Sequence, residues 1–304
     1  MKAKKISKEQ WYADEKAWWN KYGRYMSFQW KLTPKIHKIL RTDLENDYTE
    51  FLYKKNGSLL DIGCGSGWVS NYFAKKKMNA YGIDISQEQI NDAKLEKKVK
   101  GIQNVSFKCS DFISWDINGH KNKYDSVFIN AFLHHLPESE LKLLFKKLNL
   151  VTKPNGKIYL HEPLFEKSNK KNKFSSTFDF LFKGFHFFTL NIVAKKLNWY
   201  SKEFNVQLKN GYTMSSPHER PISKDFLMNC CKSDFKVVQI KGWYLYSLGS
   251  AMQAMGLKIA IRKYYLLQVR FWYFIDKLMF ALFGWEKFSN PKRFILCSLK
   301  LIKK

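Results

Sequence analysis

From about residue 58 onward, apolar positions fall into short strand-like runs separated by amphipathic stretches of helical length. Residues 58–62 read as a buried strand, followed by a glycine-rich turn and a helix over 68–77. A strand over 79–83 leads into a helix over 86–99, with Ser86 as N-cap and Gln89 completing a capping box. Strands over 105–109 and 124–130, a helix over 138–150, a turn at Pro154-Asn155-Gly156 and a strand over 157–160 continue the rhythm. Strands alternating with helices predict a parallel sheet covered on both faces. The expected fold class is therefore α/β, a doubly wound, Rossmann-like and mostly parallel sheet.

The flanks of this pattern differ. Residues 8–30 are aromatic-rich, and the spacing of positions 11, 15, 18, 19 and 22 fits one face of a helix. Such a helix packs on the main domain or forms a flap over a ligand site, and the two are compatible. After Pro163 the alternation stops. It resumes with a helix near 223–231 and a strand near 235–243, gives way to an amphipathic stretch over 244–289, and ends in a strand-like run over 293–302. The expected organisation is an N-terminal aromatic helical region (1–56), a core (57–163), a first cap insertion (164–220), a core continuation (221–243), a second cap insertion (244–289) and a final core strand (290–304).

Composition narrows the function classes. The 304 residues are 45% hydrophobic and 17% aromatic, with 7 Pro and 15 Gly, which excludes a disordered or fibrous chain. The 53 Lys+Arg against 26 Asp+Glu give a formal charge of +27. That field suits anionic partners, although surface drift towards Lys produces the same excess. Five cysteines lack C-x-x-C spacing and a zinc-ligand pattern, so reduced thiols in the cytoplasm and no metal are expected. The start is basic but has no apolar stretch behind it, and no run reaches the ~18–20 apolar residues of a membrane span.

The chemistry concentrates in Leu59-Leu60-Asp61-Ile62-Gly63-Cys64-Gly65-Ser66-Gly67. Glycines at the end of a strand allow a sharp turn and a close ligand approach. A dinucleotide fingerprint would need glycine where Trp68 stands, and a phosphate-binding loop would need Gly-Lys-Ser/Thr, so neither is the natural reading. About twenty residues past Gly63, Asp84 with Ile85 ends the second strand, where an acid can accept hydrogen bonds from ribose hydroxyls. Asp111 and Phe112 end the third, where a carboxylate beside an aromatic can hold an adenine.

This set of stations resembles the class I S-adenosylmethionine-dependent methyltransferases. The segment from Asp125 through Asn130-Ala131-Phe132-Leu133-His134-His135-Leu136-Pro137 is similar to their UbiE-like, or type 11, small-molecule and lipid branch. The likeness covers roughly residues 57–162. It implies S-adenosyl-L-methionine as cofactor, with Asp61, Gly63, Gly65 and Gly67 around the methionine part, Asp84 and Ile85 at the ribose, Asp111 and Phe112 at the adenine, and Asn130 and Phe132 beside the sulfonium. The donor is already activated, so the protein must mainly align an acceptor and remove a proton where one is lost. Candidate bases are His134 and His135, His161 and Glu162, and His186 and His218, with His135, His161 and Glu162 preferred.

Two nucleic-acid chemistries fit poorly. Methylation of base amines would call for Pro-Pro after Asn130, and Ala131-Phe132 stands there. Methylation at pyrimidine C5 would call for a cysteine near the fourth strand, and none of the five lies there. The insertions should choose the acceptor. Phe174, Phe178, Phe180, Phe182, Phe185, Phe187 and Phe188 crowd the first, and Tyr264, Tyr265, Phe271, Trp272, Tyr273 and Phe274 the second. Aromatics interleaved with Lys and Arg suit a cap core, a lipid or lipid-linked acceptor met at an anionic membrane surface, or stacked RNA bases. The expectation is a small-molecule or lipid acceptor and peripheral attachment at the inner face of the membrane. The alternative is an RNA methyltransferase, or a non-catalytic RNA-binding module.

Overall fold

The computed structural model describes residues 6–31, 33–167, 197, 216–248, 251, 257–289 and 295–304. Most of the first cap insertion, including the seven phenylalanines from Phe174 to Phe188 and His186, lies outside the described residues. Two helices open the chain, α1 (Lys8–Lys31) and α2 (Pro34–Leu52). The alternation then runs β1 (Ser58–Ile62), α3 (Trp68–Lys75), β2 (Asn79–Asp84), α4 (Gln87–Val99), β3 (Val105–Cys109), β4 (Tyr124–Asn130), α5 (Glu138–Val151) and β5 (Thr152–Phe165). Next come β6 (Ile222–Ser223), α6 (Lys224–Cys231), β7 (Phe235–Tyr244), α7 (Ile259–Phe283) and β8 (Ile295–Lys303).

The sheet order is β3-β2-β1-β4-β5-β8-β7, with β6 beside β5. β1 to β6 pair in parallel, and β8 inserts antiparallel between β5 and β7. This is the expected α/β architecture. The chain moves outward from β1 through β2 to β3, then returns to lay β4 on the other side of β1. At such a reversal the loops after β1 and β4 diverge and open a crevice at the carboxyl ends of the strands.

Alternation along the strands divides the core between the two faces of the sheet. Leu60, Ile62, Val127, Ile129, Ile158 and Leu160 join one cluster under α5 and α6. Leu59, Phe128 and Tyr159 point the other way, against Tyr48 of α2 and Val69 and Phe73 of α3. α2 earns its place by burying Ile36, Leu40, Leu44, Tyr48 and Leu52, one residue per turn.

Two local expectations change. Pro154-Asn155-Gly156 is an irregularity inside β5, not a turn ahead of it: Thr152 pairs with Tyr124 and pairing resumes at Ser126 with Lys157. β5 also continues to Phe165, because β8 pairs with it through Leu164. The second change concerns the capping box of α4. The Gln89 amide donates to Ser86 Oγ at 3.3 Å, but the reciprocal acceptor for the Ser86 amide is Asp84 Oδ1, at 2.9 Å. Gln89 turns its side chain to the crevice instead.

Candidate functional site

At the end of β1 the backbone amides of Gly63 and Cys64 both donate to Ile83 O, at 2.9 and 3.1 Å, which bends the loop across β2. Gly65 has φ +52°, and a Cβ there would meet nothing nearer than Gln89 Oε1 at 3.9 Å. Gly67 has φ +75°, and a Cβ there would lie 2.6 Å from the Phe107 ring and 2.9 Å from Ala93. The first glycine faces open space in the crevice, and the second lets α3 sit on α4 and β3. Gly65→Ala is therefore expected to cost about 1–2 kcal/mol of stability from its left-handed backbone, but to reduce ligand affinity sharply. Gly67→Ala adds ring overlap and should destabilise by a further ~1–3 kcal/mol. Urea unfolding alongside titration with S-adenosylhomocysteine separates the two; equal effects on both readouts would refute this division of labour.

The acids have distinct jobs. Asp61 is buried, and its Oδ2 accepts from the Ser70 amide and Ser70 Oγ at 3.1 and 2.6 Å, fixing the start of α3. Burial pushes its carboxyl up to about 7, with the Ser70 hydrogen bonds opposing and the Asp84 charge adding. Asp84 Oδ2 accepts from the Gly65 amide at 2.8 Å while Oδ1 holds the Ser86 amide. One carboxylate thus joins the glycine loop to the N-terminus of α4. Burial raises its pKa, and these amides oppose the rise. Asp111 accepts from the amides of Ile113 and Ser114 at 3.0 and 2.9 Å. Lys147 clamps the same loop by donating to the carbonyls of Phe112, Ile113 and Trp115.

On the β4 side, Glu162 is fully buried and organises the turn after the strand. Its Oε1 accepts from the amides of Phe132 and Leu133 at 2.8 and 2.9 Å, and Oε2 pairs with His134 Nδ1 at 2.7 Å. Burial pushes its carboxyl up, but His134 and the two amides outweigh it and leave the pKa below the ordinary value. Beside it in the sheet, His161 Nδ1 donates to Asn130 Oδ1 at 2.7 Å. With that oxygen occupied, the Asn130 amide nitrogen is left to face the crevice. Burial, opposed by Glu162, pushes the His161 imidazole down to about 4.

Tyr12, Glu15 and Trp19 of α1 close the crevice into a cavity. Opposite them lie Gly63, Gly65, Asp84, Ile85, Gln89, Ser110, Asp111 and Phe112, with Trp68, Asn130, Phe132 and His135 at the end nearest β4. Trp11 Nε1 donates to His135 O at 2.7 Å, Tyr12 hydrogen-bonds Glu140, and His218 stacks on Trp11 while its Nε2 meets Asp14 at 2.9 Å. His135 Nδ1 lies 2.8 Å from Ser216 Oγ and 3.2 Å from Glu15 Oε2. Burial and the neighbouring His134 lower its pKa, and Glu15 opposes them.

Of the three bases preferred from the sequence, only His135 lines the cavity. His161 sits behind Asn130, and both Glu162 oxygens are occupied by the amides and His134, so neither reaches an acceptor. Asp61 and Gly67 likewise lie outside the lining. Tyr12, Glu15, Trp19, Trp68, Gln89 and Ser110 were not singled out by sequence as cavity residues. The aromatic periodicity of α1 was the only trace of the first three.

A family model described as a methyltransferase domain matches residues 53–205, just over half of the chain. A ubiquinone biosynthesis O-methyltransferase of Coxiella burnetii is 24% identical over 218 residues, 69% of this chain and 83% of its own length. An uncharacterized RNA methyltransferase of Mycoplasma mobile is 27% identical over 171 residues, 54% of this chain and 45% of its own. This chain spans about half or less of several such relatives. Among solved structures, geranyl diphosphate C-methyltransferase of Streptomyces coelicolor, complexed with S-adenosyl-L-homocysteine, superposes with a TM-score of 0.52 at 11% identity, covering 87% of this chain and 81% of that one, a likeness of fold. The match over half the chain, on a sheet whose carboxyl-end crevice holds the glycine loop and its acids, places the protein in the methyltransferase-domain family, in line with its resemblance to the class I S-adenosylmethionine-dependent methyltransferases.

Proposed function

We propose that the protein methylates a small-molecule or lipid-linked acceptor, with His135 as the base. One observation supports this above others. In a chain of formal charge +27, the cavity lining among the described residues contains Glu15, Asp84 and Asp111 and neither Lys nor Arg. Such a wall suits a cationic sulfonium and an uncharged or cationic acceptor, and it repels a phosphate backbone. The RNA methyltransferase relative is the counterweight, so RNA is the comparison substrate.

The residues divide the work. Gly65 leaves room for the methionine part, Gly63 lets the Phe132 ring sit against the loop, and Asp84 beside Ile85 offers lone pairs to the ribose hydroxyls. Asp111 and Phe112 frame the adenine, and Asn130 and Phe132 flank the reacting methyl. The bound donor supplies an electrophilic methyl, and the protein excludes water and holds the acceptor in line. Glu15, accepting from His135 Nδ1–H, leaves the lone pair on Nε2. Nε2 would then take the proton that the acceptor loses on methylation.

The test is S-adenosylhomocysteine release with metabolite and lipid extracts against RNA, with mass spectrometry for a product one methyl heavier. Product with RNA alone would overturn the acceptor reading. On the acceptor so found, His135→Ala should lower turnover about 10²–10⁴-fold. Glu15→Gln removes the charge that raises the His135 pKa, so the acid limb of its rate profile should move to lower pH. An unmoved limb would remove His135 from the base role.

A further inference from the structure

α7 carries apolar residues on two opposite faces. Tyr265, Val269, Trp272, Tyr273 and Met279 are buried, and Asp276, the single acid of the helix, lies with them. Its carboxylate accepts the backbone amides of Leu245, Tyr246 and Ser247, each at 3.0 Å. Tyr273 and Lys277 reach Asp43 of α2, at 2.9 and 2.7 Å. These contacts fix the rotation of the helix. The face turned outward presents Leu267, Phe271, Phe274, Leu278 and Leu282, with Leu267 76% and Phe274 61% exposed. At about 100° per residue these five fall within roughly an 80° arc, a stripe about 22 Å long. Among the described residues, packing against α2 and β7 needs only the inner face and leaves the outer stripe unexplained. Exposed apolar patches of this extent mark interaction sites.

We infer that this stripe docks the protein on an anionic lipid surface, α7 lying in the plane of the interface. Three features select that occupant. The only charged residues among the exposed positions described on α7 are Arg270 and Lys277, both basic and both on one flank of the stripe. A second copy of a +27 chain is repelled, whereas anionic headgroups are attracted. Three of the five stripe residues are Leu, which have no ring to stack on a nucleic-acid base, while an acyl layer accepts Leu and Phe alike. No helix among the described residues is long and apolar enough to cross a membrane, so the stripe lies on the bilayer rather than through it.

The inference deepens the lipid-acceptor reading and rests on it only for what is delivered to the cavity. Docking is measured without an acceptor. The full chain should co-sediment with phosphatidylcholine vesicles containing phosphatidylglycerol at low salt, and be released at 1 M salt, where the screening length falls to about 3 Å. The double variant Phe271→Glu, Leu278→Glu should lose at least about tenfold in vesicle partition, with S-adenosylhomocysteine affinity unchanged. Retained affinity shows that the variant is folded and that the cofactor site stands apart from docking. Wild-type protein left in the supernatant, a variant that binds vesicles as well as wild type, or a wild-type dimer that the variant abolishes would each overturn the assignment.

Discussion

Asp84→Ala is expected to weaken S-adenosylhomocysteine binding by about tenfold to over a hundredfold. A hydrogen bond from a neutral donor to a carboxylate contributes ~1.5–3 kcal/mol, and each 1.4 kcal/mol is a factor of about ten in affinity. The loss exceeds that of one ligand contact, because Asp84 also holds the amides of Gly65 and Ser86. Removing it frees the glycine loop from α4 at the point where the loop must stay open. Asp84→Asn keeps an oxygen for one of those amides but sets its own N–H against the other, so its affinity should fall between wild type and alanine. Calorimetric titration checks both variants. Alanine binding within about threefold of wild type would remove Asp84 from the ribose role.

Glu162→Ala should be the most destabilising single change proposed, at about 3–5 kcal/mol. It would strand the amides of Phe132 and Leu133 and the His134 ring, all held by one buried carboxylate. The pH dependence has a definite sign. Because the folded pKa lies below the ordinary 4.5, the stabilisation is present above that value and is lost as pH falls through the folded pKa. Glu162→Gln should therefore lower stability at neutral pH and flatten the stability profile in the acid range. Urea unfolding at a series of pH values is the measurement. Full stability with lost turnover would instead make Glu162 a catalytic group.

Local signals were legible in the sequence. Asp61–Gly67, Asp84 and Asp111 each stand at the end of a strand, so short-range pattern sufficed to find them, although the Gly65 amide that Asp84 holds lies nineteen residues away. The same locality misjudged Asp61 and Gly67, which face α3, Phe107 and Ala93. From sequence a glycine needed for packing looks the same as one needed for a ligand. Gln89 carried no signal of a cavity role, and Glu15 only its place on the aromatic face of α1. A glutamate on a helix and a glutamine in a capping box are ordinary until tertiary packing turns them to the crevice. The pair His134-His135 was readable as two candidates, but its division of labour was not. Glu162, which takes His134, comes from β5, and Glu15, which meets His135, comes from α1. The continuation of β5 past Leu160 depended on β8, a partner more than a hundred residues away.

The placement of β8 has a consequence for the order in which the molecule can be assembled during synthesis. Among the described residues β7 joins the sheet only through β8, and β8 leaves the ribosome after it. Until Ile295–Lys303 has been made, β7 has no strand to pair with, and the edge of β5 from Lys157 to Leu164 stands open. The nascent chain can close its crevice around β1 to β4 while its other edge remains a bare apolar ladder, the kind of edge that recruits other chains. The half of the protein that carries the crevice is thus available early, and the half that protects it from aggregation comes late. That interval is when a chaperone would have most to do.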